Sequence, residues 1–520
     1  MIQLTKESLL NLIPNYVVEI SEKLQSKGFE AFLVGGSVRD IMLGKRPDDY
    51  DIATNALPED VENVFDKSIP VGAQFGTIIV VTEDEKGERF DVEVTTYRSE
   101  ADYVGGRWPA KVDYAKTINE DLKRRDFTIN AIALNLQEFD NSEMSLKQMI
   151  IDPFGGKEDL KSRIIKAVGD PLERFTEDGL RAVRACRLVA NLDSALNSDD
   201  NDLFKIEDNT FSAINKTLHI TKRVSVERFR DELMKLLLKS PKPSKGLRLM
   251  RDCGILELFI PELLEGEHVH QPQFHVDDVF EHSLKTCDLA EDRIKVAALL
   301  HDIGKPRCYS KDDKGVHFYG HDVEGEKMSK EIMKRLKFPN IEIERASKLI
   351  RWHMFYYPSS DWRKSVPGDE YRVMSEELEQ RINQQIPENS QPSSRNSKLH
   401  GWSDSAIRRL IINVGGEDAI DDLMRLRIAD ATANPKSEWD PVELDALSER
   451  ISEVRSKDMA LKITDLDITG KDLMENFEIE TGPQIGEILN FLLDKIIEEP
   501  IYNKKEDLLK FAKEYLEEEK

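Results

Sequence analysis

Strand-forming segments are confined to the beginning of this chain, and that distribution limits its fold more than any other feature. Short β-branched or apolar runs, bounded by glycine or charged residues, predict strands at 30–35, 50–53, 76–82 and 89–97. Helices are predicted at 1–28 and 38–43, and from Lys157 onward the periodicity is helical almost to the C-terminus. The pattern therefore predicts a small α/β domain ending near residue 145, followed by helical domains.

Composition limits the kinds of protein that this chain could be. A chain of 520 residues is expected to form three or four domains. No apolar run approaches the roughly 20 residues that span a bilayer, so we expect no membrane association. The four cysteines include no CxxC pair and favour reduced thiols in a cytoplasmic protein. The net charge of −25 argues against nucleic acid, but a basic stretch from Lys222 to Arg251 offers a local phosphate-binding face.

A glycine turn stands at the first predicted strand-to-helix junction, where Gly35 and Gly36 precede Ser37. Glycines there let the backbone approach a ligand closely and direct its N–H groups outward. With Ser37 and Arg39 beside it, the start of the following helix suits a phosphate group. Taken alone, the motif is better explained as a plain turn.

Two aspartates about ten residues further on change that interpretation. Asp49 and Asp51 are at i and i+2 on a predicted strand, so both side chains are expected on the same face. Carboxylates that close repel each other unless a divalent cation lies between them, and Mg²⁺ suits oxygen ligands of this kind. Glu93, on another predicted strand, is the candidate third carboxylate. Surface charge explains the pair alone equally well, but the upstream turn favours a metal site.

Several segments, in the same order, resemble the class II (bacterial and eukaryotic) tRNA nucleotidyltransferase and poly(A) polymerase family. Leu33-Val-Gly-Gly-Ser-Val-Arg-Asp-Ile-Met-Leu-Gly44, followed by Asp49-Tyr-Asp-Ile-Ala-Thr54, resembles the start of that family's catalytic head. Further matching segments are Arg124 to Ala131, Asp152 to Gly156, Arg174 to Arg187, Ser225 to Arg228, Ile468 to Met474 and Gly482 to Gly486. The resemblance covers nearly the whole chain.

The resemblance implies substrates and a role for each matching position. CTP and ATP would donate nucleotides to the 3′ end of tRNA, with Mg²⁺ bound by Asp49 and Asp51 and Glu93 assisting. Gly36, Ser37 and Arg39 would hold the triphosphate. Arg125 would bind the nucleotide, and Asp126 and Asn130 would shape the ribose pocket. The remaining nucleotide-binding positions are Glu177, Asp178, Arg181, Arg184 and Arg187.

Hydrogen-bonding chemistry suggests how such a site could choose its base. Glu177, Asp178, Arg181 and Arg184 are spaced i, i+1, i+4 and i+7, which predicts a cluster on one side of a helix. Such a pattern usually marks a salt-bridged solvated face. Beside a triphosphate site, an ionised Asp accepts and an Arg donates, which matches the amino group and ring nitrogen of cytosine and adenine. Uracil and guanine would leave unpaired groups that cost on the order of 1–3 kcal/mol each.

Histidines cluster in the second half of the chain. His282, His301-Asp302 and Asp430 form the H…HD…D pattern of the HD phosphohydrolase superfamily, and His321 and His353 could complete a two-metal site. The resemblance implies Ni²⁺, Mn²⁺ or Mg²⁺ as the bound ion, and hydrolysis of 2′,3′-cyclic or 2′-phosphates. The alternative is a domain that only packs and binds tRNA. An apparent insertion at 359–402 interrupts the motif.

The expected architecture is α+β, with a small mixed β-sheet head and helical neck, body and tail. The predicted domains are a catalytic head at 1–145, a neck at 146–265, an HD-type body at 266–435 and a tRNA-contacting tail at 436–520. The predicted activity is addition of CCA to tRNA. Alternatives are a poly(A) polymerase, an enzyme adding only CC or only A, and an HD phosphohydrolase with a relict head. The sequence gives no indication of oligomeric state.

Overall fold

The computed structural model describes residues 11–72, 76–83, 87–104, 108–136, 149–193, 203–271, 276–313, 315–354, 403–434, 441–456 and 462–518. The chain forms two compact units, Met1–Leu264 and Glu265–Lys520. The finer division into four domains, with boundaries at 145, 265 and 435, stays a prediction. Among the described residues, no helix combines the length and apolar character needed to cross a bilayer.

The first unit contains a seven-stranded mixed sheet. Its order is β3-β4-β5-β2-β1-β8-β9, in which β2 and β5 are parallel and the other neighbours antiparallel. The first unit also contains two separate two-stranded sheets, β6–β7 and β10–β11. The strands are β1 (Ala31–Val34), β2 (Asp51–Thr54), β3 (Ser68–Gly72), β4 (Thr77–Glu83), β5 (Arg89–Thr96), β6 (Arg98–Val104), β7 (Trp108–Tyr114), β8 (Ala133–Asn135), β9 (Ile150–Ile151), β10 (Ile164–Ile165) and β11 (Lys205–Ile206).

Strand β1 lies between β2 and β8, and all four of its residues are buried. Such an unbroken apolar run is what a strand covered on both faces requires. Because β1 ends at Val34, the chain leaves the sheet directly into Gly35. The position of the glycine turn is therefore set by the most buried strand of the sheet.

Helices make up the remainder of the first unit. On α10, Phe229, Leu233, Leu236 and Leu237 are buried at helical spacing, and this helix packs against α7. The helices are α1 (Asn15–Ser26), α2 (Gly36–Met42), α3 (Pro58–Val64), α4 (Ile118–Lys123), α5 (Gly156–Lys161), α6 (Pro171–Glu177), α7 (Leu180–Asp193), α8 (Asp208–Lys216), α9 (Leu218–Thr221), α10 (Val226–Lys239), α11 (Pro243–Asp252), α12 (Ile255–Phe259) and α13 (Pro261–Leu264).

Where the structure describes it, the second unit consists mainly of helices and contains one hairpin, β12 (Ser310–Asp312) and β13 (Gly315–His317). Its last three helices share a core that includes Leu473, Leu492 and Leu508. The helices are α14 (Val279–Leu289), α15 (Lys295–Leu300), α16 (His321–Arg335), α17 (Asn340–Trp352), α18 (Asp404–Val414), α19 (Glu417–Ala433), α20 (Pro441–Arg455), α21 (Gly470–Phe477), α22 (Pro483–Glu498) and α23 (Lys505–Glu518).

The predicted fold class, an α+β chain with a mixed-sheet head followed by helices, is confirmed. The helix predicted over 1–28 differs where it is described, because residues 11–14 are not helical and the helix runs Asn15–Ser26, directly after Pro14. Residues 1–10 lie outside the described residues. Proline is tolerated at the start of a helix but not in its interior. The small β10–β11 and β12–β13 pairs were not predicted, since two- or three-residue strands give no periodicity. The predicted insertion at 359–402 lies outside the described residues.

Candidate functional site

The glycine turn lies against an arginine and a carboxylate of the first unit. Gly35 has φ 77° and ψ −136°, a conformation that strongly favours glycine. A Cβ at this position would lie 2.7 Å from Arg125 Nη1 and 3.7 Å from Asp51 Oδ2. The absence of a side chain at Gly35 thus lets a guanidinium and a carboxylate approach one turn. Arg125 is held there from behind, since its Nη2 donates to Asp121 Oδ2 at 3.2 Å.

Asp51 and Glu93 occupy paired positions on the parallel strands β2 and β5, so their side chains leave the same face of the sheet. Asp49 lies before β2, and the prediction that both aspartates are on the strand is wrong. The strand begins at Asp51 because its partner there is Val34, the last residue of β1. Asp49 is consequently exposed, whereas Asp51 is partly buried.

Burial and neighbouring charges shift the pKa values of Asp51 and Glu93. Burial raises the pKa of Asp51, Arg125 opposes that effect, and the charge of Asp49 adds to it. Burial also raises the pKa of Glu93, together with the charges of Asp51 and Asp49. Asp51 and Glu93 present their carboxylates on one face of paired strands, and carboxylate oxygens are the ligands that a divalent cation such as Mg²⁺ prefers. The residues therefore fit a divalent metal ion with oxygen ligands.

A chain of polar contacts links four of the residues predicted to bind the nucleotide. Arg39 Nη1 donates to Asn130 Oδ1 at 2.7 Å, and Asn130 Nδ2 donates to Asp126 Oδ1 at 3.1 Å. Arg184 Nη2 lies 2.9 Å from Asp126 Oδ2. Burial acts to raise the pKa of Asp126, but Arg184 and the other neighbours lower it below its usual range. The contacts join α2, the short 3₁₀ turn Thr128–Asn130 and α7 through one ionised carboxylate.

The predicted base-reading helix is two helices. Helix α6 ends at Glu177, Asp178 is extended with φ −147° and ψ 109°, and α7 begins at Leu180. The prediction that these residues share one side of a continuous helix is therefore wrong. The break has a local cause, since Asp178 Oδ1 accepts a hydrogen bond from the Leu180 N–H and caps α7. Asp favours such a cap over a helix interior.

Asp178 and Arg181 have separate partners. Asp178 Oδ2 accepts from Arg228 Nη2 at 2.6 Å. Arg181 donates to Glu177 and to the carbonyl oxygens of Arg174 and Arg124, at 2.9 and 3.0 Å for the two carbonyls. The structure thus brings both residues into the first unit's polar network without pairing them with each other.

Two further predicted residues are tied into the fold. Ser37 is 3% exposed, and its Oγ donates to the Val34 carbonyl at 2.8 Å. The hydroxyl proton of Ser37 is therefore already used in this hydrogen bond, so its backbone N–H is the group that could donate to a phosphate. Arg187 Nε donates to Glu232 Oε2 at 2.6 Å. Gly36 begins α2, and a Cβ there would lie 3.4 Å from Arg39 Nη2.

The basic stretch predicted from Lys222 to Arg251 spans α10 and α11. Several of its cations are bound locally: Arg228 contacts Asp178, and Lys239 contacts Asp48 at 2.8 Å. The exposed members are Lys222, Arg223, Lys235, Lys239 and Lys242. They offer phosphate-binding groups along the polar side of these helices.

In the second unit, the structure brings all six predicted HD residues together. His282 lies on α14, His301 and Asp302 follow α15, His321 begins α16, His353 ends α17, and Asp430 lies on α19. Two sets have ligand atoms within 4.8 Å of one another: His282, His301 and Asp302, and Asp302, His321 and His353. Asp430 joins the first set, with Oδ1 2.9 Å from His282 Nε2.

Backbone carbonyls orient three of these imidazoles. His301, His321 and His353 each place Nδ1 at 2.6–2.8 Å from the carbonyl oxygen three residues earlier. A carbonyl can only accept, so Nδ1 carries the proton and Nε2 presents a lone pair when the ring is neutral. The Nε2 atoms of His321 and His353 are 3.4 Å apart. Facing lone pairs of this kind suit a cation between them.

Two buried atoms support the metal interpretation. His301 Nε2 and Asp302 Oδ2 lack a hydrogen-bond partner of acceptable geometry, although Lys305 Nζ lies 2.6 Å from Asp302 Oδ2. Burial acts to lower the pKa of His301, but Asp302 and Asp430 raise it to about 10. Burial and the neighbouring His353 lower the pKa of His321 to about 4. The donor set of imidazole nitrogens and carboxylate oxygens fits a divalent transition metal.

Several contributing residues were missed from sequence. Asp121 accepts from both Arg124 and Arg125, and its i, i+3 and i+4 spacing is the signal that could have found it. Lys305 lies beside Asp302, and Gln271 contacts Lys305. Lys305 belongs to the His-Asp-Ile-Gly-Lys segment, whereas no local pattern marks Gln271.

Four family models match the chain. The model of the Poly A polymerase head domain matches residues 31–166, and that of the probable RNA- and SrmB-binding site of polymerase A matches 203–266. The HD domain model matches 275–390, and the model of tRNA nucleotidyltransferase domain 2 matches 425–512. Their order is that of the predicted head, neck, body and tail.

Two similar curated proteins are both described as CCA-adding enzymes. The CCA-adding enzyme of Lactococcus lactis subsp. cremoris is 44% identical over 221 residues, which cover 42% of this chain and 50% of that protein. The CCA-adding enzyme of Streptococcus gordonii is 38% identical over 281 residues, covering 54% and 62%. The chain thus spans about half the length of the curated relatives it matches.

A solved structure covers nearly the whole chain. The Bacillus stearothermophilus CCA-adding enzyme in complex with CTP aligns with a TM-score of 0.61 and 25% identity, covering 97% of this chain and 98% of that chain. The family predicted from the motifs is confirmed by the four models and the relatives together. The chain belongs to the class II tRNA nucleotidyltransferase and poly(A) polymerase family and carries an HD domain.

Proposed function

We propose that this protein adds CCA to the 3′ end of tRNA without a nucleic-acid template, using CTP and ATP. The 3′-hydroxyl oxygen attacks the α-phosphorus, a new P–O bond forms, and the bond to the β-phosphate breaks. Pyrophosphate leaves, and the hydroxyl proton is released to solvent. The observation that carries the proposal is the meeting of the Asp51 carboxylate and the Arg125 guanidinium at the Gly35 turn, with Glu93 paired to Asp51.

In the first unit, one group of residues would bind the metal ion and another would bind the nucleotide. Asp49 and Asp51, with Glu93 assisting, would hold Mg²⁺, which when bound lowers the pKa of the attacking hydroxyl and offsets charge on the pyrophosphate. Arg125 and Arg39 supply fixed positive charge for the triphosphate. Gly36 and Ser37 would contribute backbone N–H groups, and Asp126 and Asn130 would contact the ribose.

Selection of cytosine and adenine is assigned to Asp178 and Arg181, with Glu177, Arg184 and Arg187 completing the site. An Asp that accepts and an Arg that donates match the Watson–Crick edges of these two bases. Arg228 holds Asp178, and two carbonyls hold Arg181. Base pairing with the nucleotide must therefore compete with these contacts, which would discriminate against bases that make poorer ones.

Three findings favour tRNA over a poly(A) tail. The similar proteins are CCA-adding enzymes, the C-terminal helices match a tRNA nucleotidyltransferase model, and the exposed cations of α10 and α11 suit an RNA backbone. A poly(A) polymerase and an enzyme that adds only CC or only A remain the alternatives. The β6–β7 region is where the latter would differ. We also propose that the reaction takes place in the cytoplasm, where tRNA is used.

The proposal is tested with tRNA transcripts that end at the discriminator base. The full-length protein is incubated with Mg²⁺ and labelled CTP, ATP or both, and the 3′ ends are sequenced. We expect CC with CTP alone and CCA with both nucleotides, with no incorporation of UTP or GTP. A long A-tail, CC alone with both nucleotides, A on a CC-ending tRNA only, or no incorporation would each contradict the proposal.

A second function is proposed for the second unit, because its six HD residues converge. We infer that this cluster hydrolyses a 2′,3′-cyclic or 2′-phosphate ester with a bound Ni²⁺, Mn²⁺ or Mg²⁺ ion. When bound, such an ion activates water and neutralises phosphate charge. The carbonyl-fixed imidazoles of His301, His321 and His353 would present Nε2 to it. A purely structural domain would not require buried ligand atoms without hydrogen-bond partners.

A further inference from the structure

Gln271 has an amide whose orientation is fixed by its neighbour. The side chain is 8% exposed, and its Oε1 lies 2.6 Å from Lys305 Nζ. An ammonium group can only donate, so the oxygen of the amide must face Lys305 and the NH₂ group must face away from it. The usual ambiguity between amide oxygen and nitrogen does not arise here.

The same ammonium group connects Gln271 to the HD cluster. Lys305 Nζ lies 2.6 Å from Asp302 Oδ2, and Asp302 belongs to both candidate metal sets. The Gln271 amide and the Asp302 carboxylate are therefore bridged by one nitrogen atom. Gln271 is thus separated from a residue of both candidate metal sets by a single ammonium group.

The Gln271 Nε2 atom is buried and has no hydrogen-bond partner among the described residues. Leaving a buried donor unpaired is unfavourable, so such groups in native proteins usually serve a ligand or an ordered water. Local backbone contacts hold the residue in place: His270 forms a bridge with Asp278, and the His268 N–H donates to Asp278 Oδ2. A donor that is held in place beside a phosphoryl-transfer cluster suits an anionic oxygen.

We propose that Gln271 binds substrate in the second unit, with its NH₂ group donating to a non-bridging oxygen of the phosphate ester. The proposal rests on the phosphohydrolase function inferred above. Lys305 orients the amide through its oxygen, which leaves the NH₂ group for the phosphate, and Asp302 keeps the ammonium in place. The assignment adds a residue that recognises the phosphate to a cluster otherwise composed of metal ligands and Lys305.

The test measures binding of inorganic phosphate to the full-length protein loaded with Mn²⁺, by isothermal titration calorimetry. Gln271→Met keeps the side-chain length but removes the donor, and Gln271→Glu keeps an oxygen for Lys305 but also removes the donor. We expect both variants to bind phosphate roughly ten- to a hundred-fold more weakly, the loss typical of a hydrogen bond to a charged group. Mn²⁺ affinity, measured separately, should change less than about three-fold, and nucleotide incorporation by the first unit should be unchanged.

The outcomes separate the two proposals. Unaltered phosphate binding in both variants would show that the amide serves only a water molecule or the fold, and the assignment would be overturned. A parallel loss of Mn²⁺ affinity would make Gln271 a support for the metal ligands and would also overturn it. If the wild-type protein bound neither Mn²⁺ nor phosphate, the phosphohydrolase function itself would fail. If one variant misfolds, judged by circular dichroism, the other decides.

Discussion

At the scale of single residues, side-chain contacts in the first unit join partners that lie at very different separations along the chain. Asp51, Glu93 and Arg125 were identified from local motifs. In the structure, Asp51 and Arg125 lie at the Gly35 turn, and Glu93 is paired with Asp51 on the neighbouring strand. Asp178 was also identified, but its partner is Arg228, which is 50 residues away. A contact of that separation depends on how α10 packs on α7, and no local spacing reports it. Local patterns predict which side chains are reactive, and tertiary packing decides which of them meet.

Gly35 provides a residue-scale prediction. Gly35→Ala should reduce nucleotide incorporation at least about ten-fold, because its φ of 77° and the 2.7 Å approach to Arg125 Nη1 force the turn or the guanidinium to move. The matched control is Gly28→Ala, which also has a positive φ, 88°, but has no atom within 4 Å of the added Cβ. Steady-state incorporation of CTP measures both. Equal activity in the two variants would show that the close approach at Gly35 is unimportant.

At the scale of elements, β1, β2, β4 and β5 were predicted, whereas β3, β6 and β7 were missed although they are five to seven residues long. Helix continuity was predicted wrongly at Asp178. Strand β1 could be predicted because four consecutive apolar residues followed by glycines have few alternatives. The break between α6 and α7 could not be predicted by charge spacing, because Asp178 fits the i, i+1, i+4, i+7 pattern and also caps a new helix. At this position, the preference of Asp for capping a helix outweighed the helical spacing of the charged residues. Short elements such as the β12–β13 hairpin leave too few residues for any period.

Close packing between elements gives a second prediction. A Cβ at Gly304 would lie 2.2 Å from the His321 carbonyl oxygen and 2.7 Å from Gly325 N, so the turn after α15 packs directly on the start of α16. Gly304→Ala should separate His321 from Asp302, weaken Mn²⁺ binding at least about ten-fold and destabilise the second unit by about 1–3 kcal/mol. Calorimetry and thermal unfolding measure these effects.

The control for that substitution is Gly486→Ala. Gly486 is also in the second unit, lies within α22, and has nothing within 4 Å of an added Cβ. Alanine there should leave metal binding intact and slightly raise stability, because alanine favours a helix over glycine. A loss of metal binding in both variants would indicate a general effect of substitution rather than the packing at Gly304.

At the scale of the whole molecule, the two candidate sites lie in separate compact units. The carboxylates of the first site lie within Met1–Leu264, and the HD residues lie within Glu265–Lys520. The order of motifs along the chain predicted this separation, since no motif of one site interrupts the other. The contact between Gln271 and Lys305, 34 residues apart, could not be predicted because it arises only when the second unit folds.

Two substitutions should therefore separate the activities. Asp51→Ala should lower nucleotide incorporation by at least about a hundred-fold and leave hydrolysis of a 2′,3′-cyclic nucleotide unchanged, because it removes a proposed Mg²⁺ ligand of the first unit only. His301→Ala should do the reverse. Both reactions are measured on the same full-length preparations, with and without added Mn²⁺. Loss of both activities in either variant would argue against two independent metal sites.

The carbonyl contacts of the histidines have a consequence for sequence change. His301, His321 and His353 are oriented by the backbone oxygens of Ala298, Phe318 and Ile350. Every amino acid supplies that oxygen, so no point substitution at these three positions can delete the acceptor itself. Related sequences can thus diverge at these positions while the rings keep their tautomer, provided that the path of the backbone is kept. The orientation of the ligands is in this respect buffered against mutation, although the ligands themselves are not.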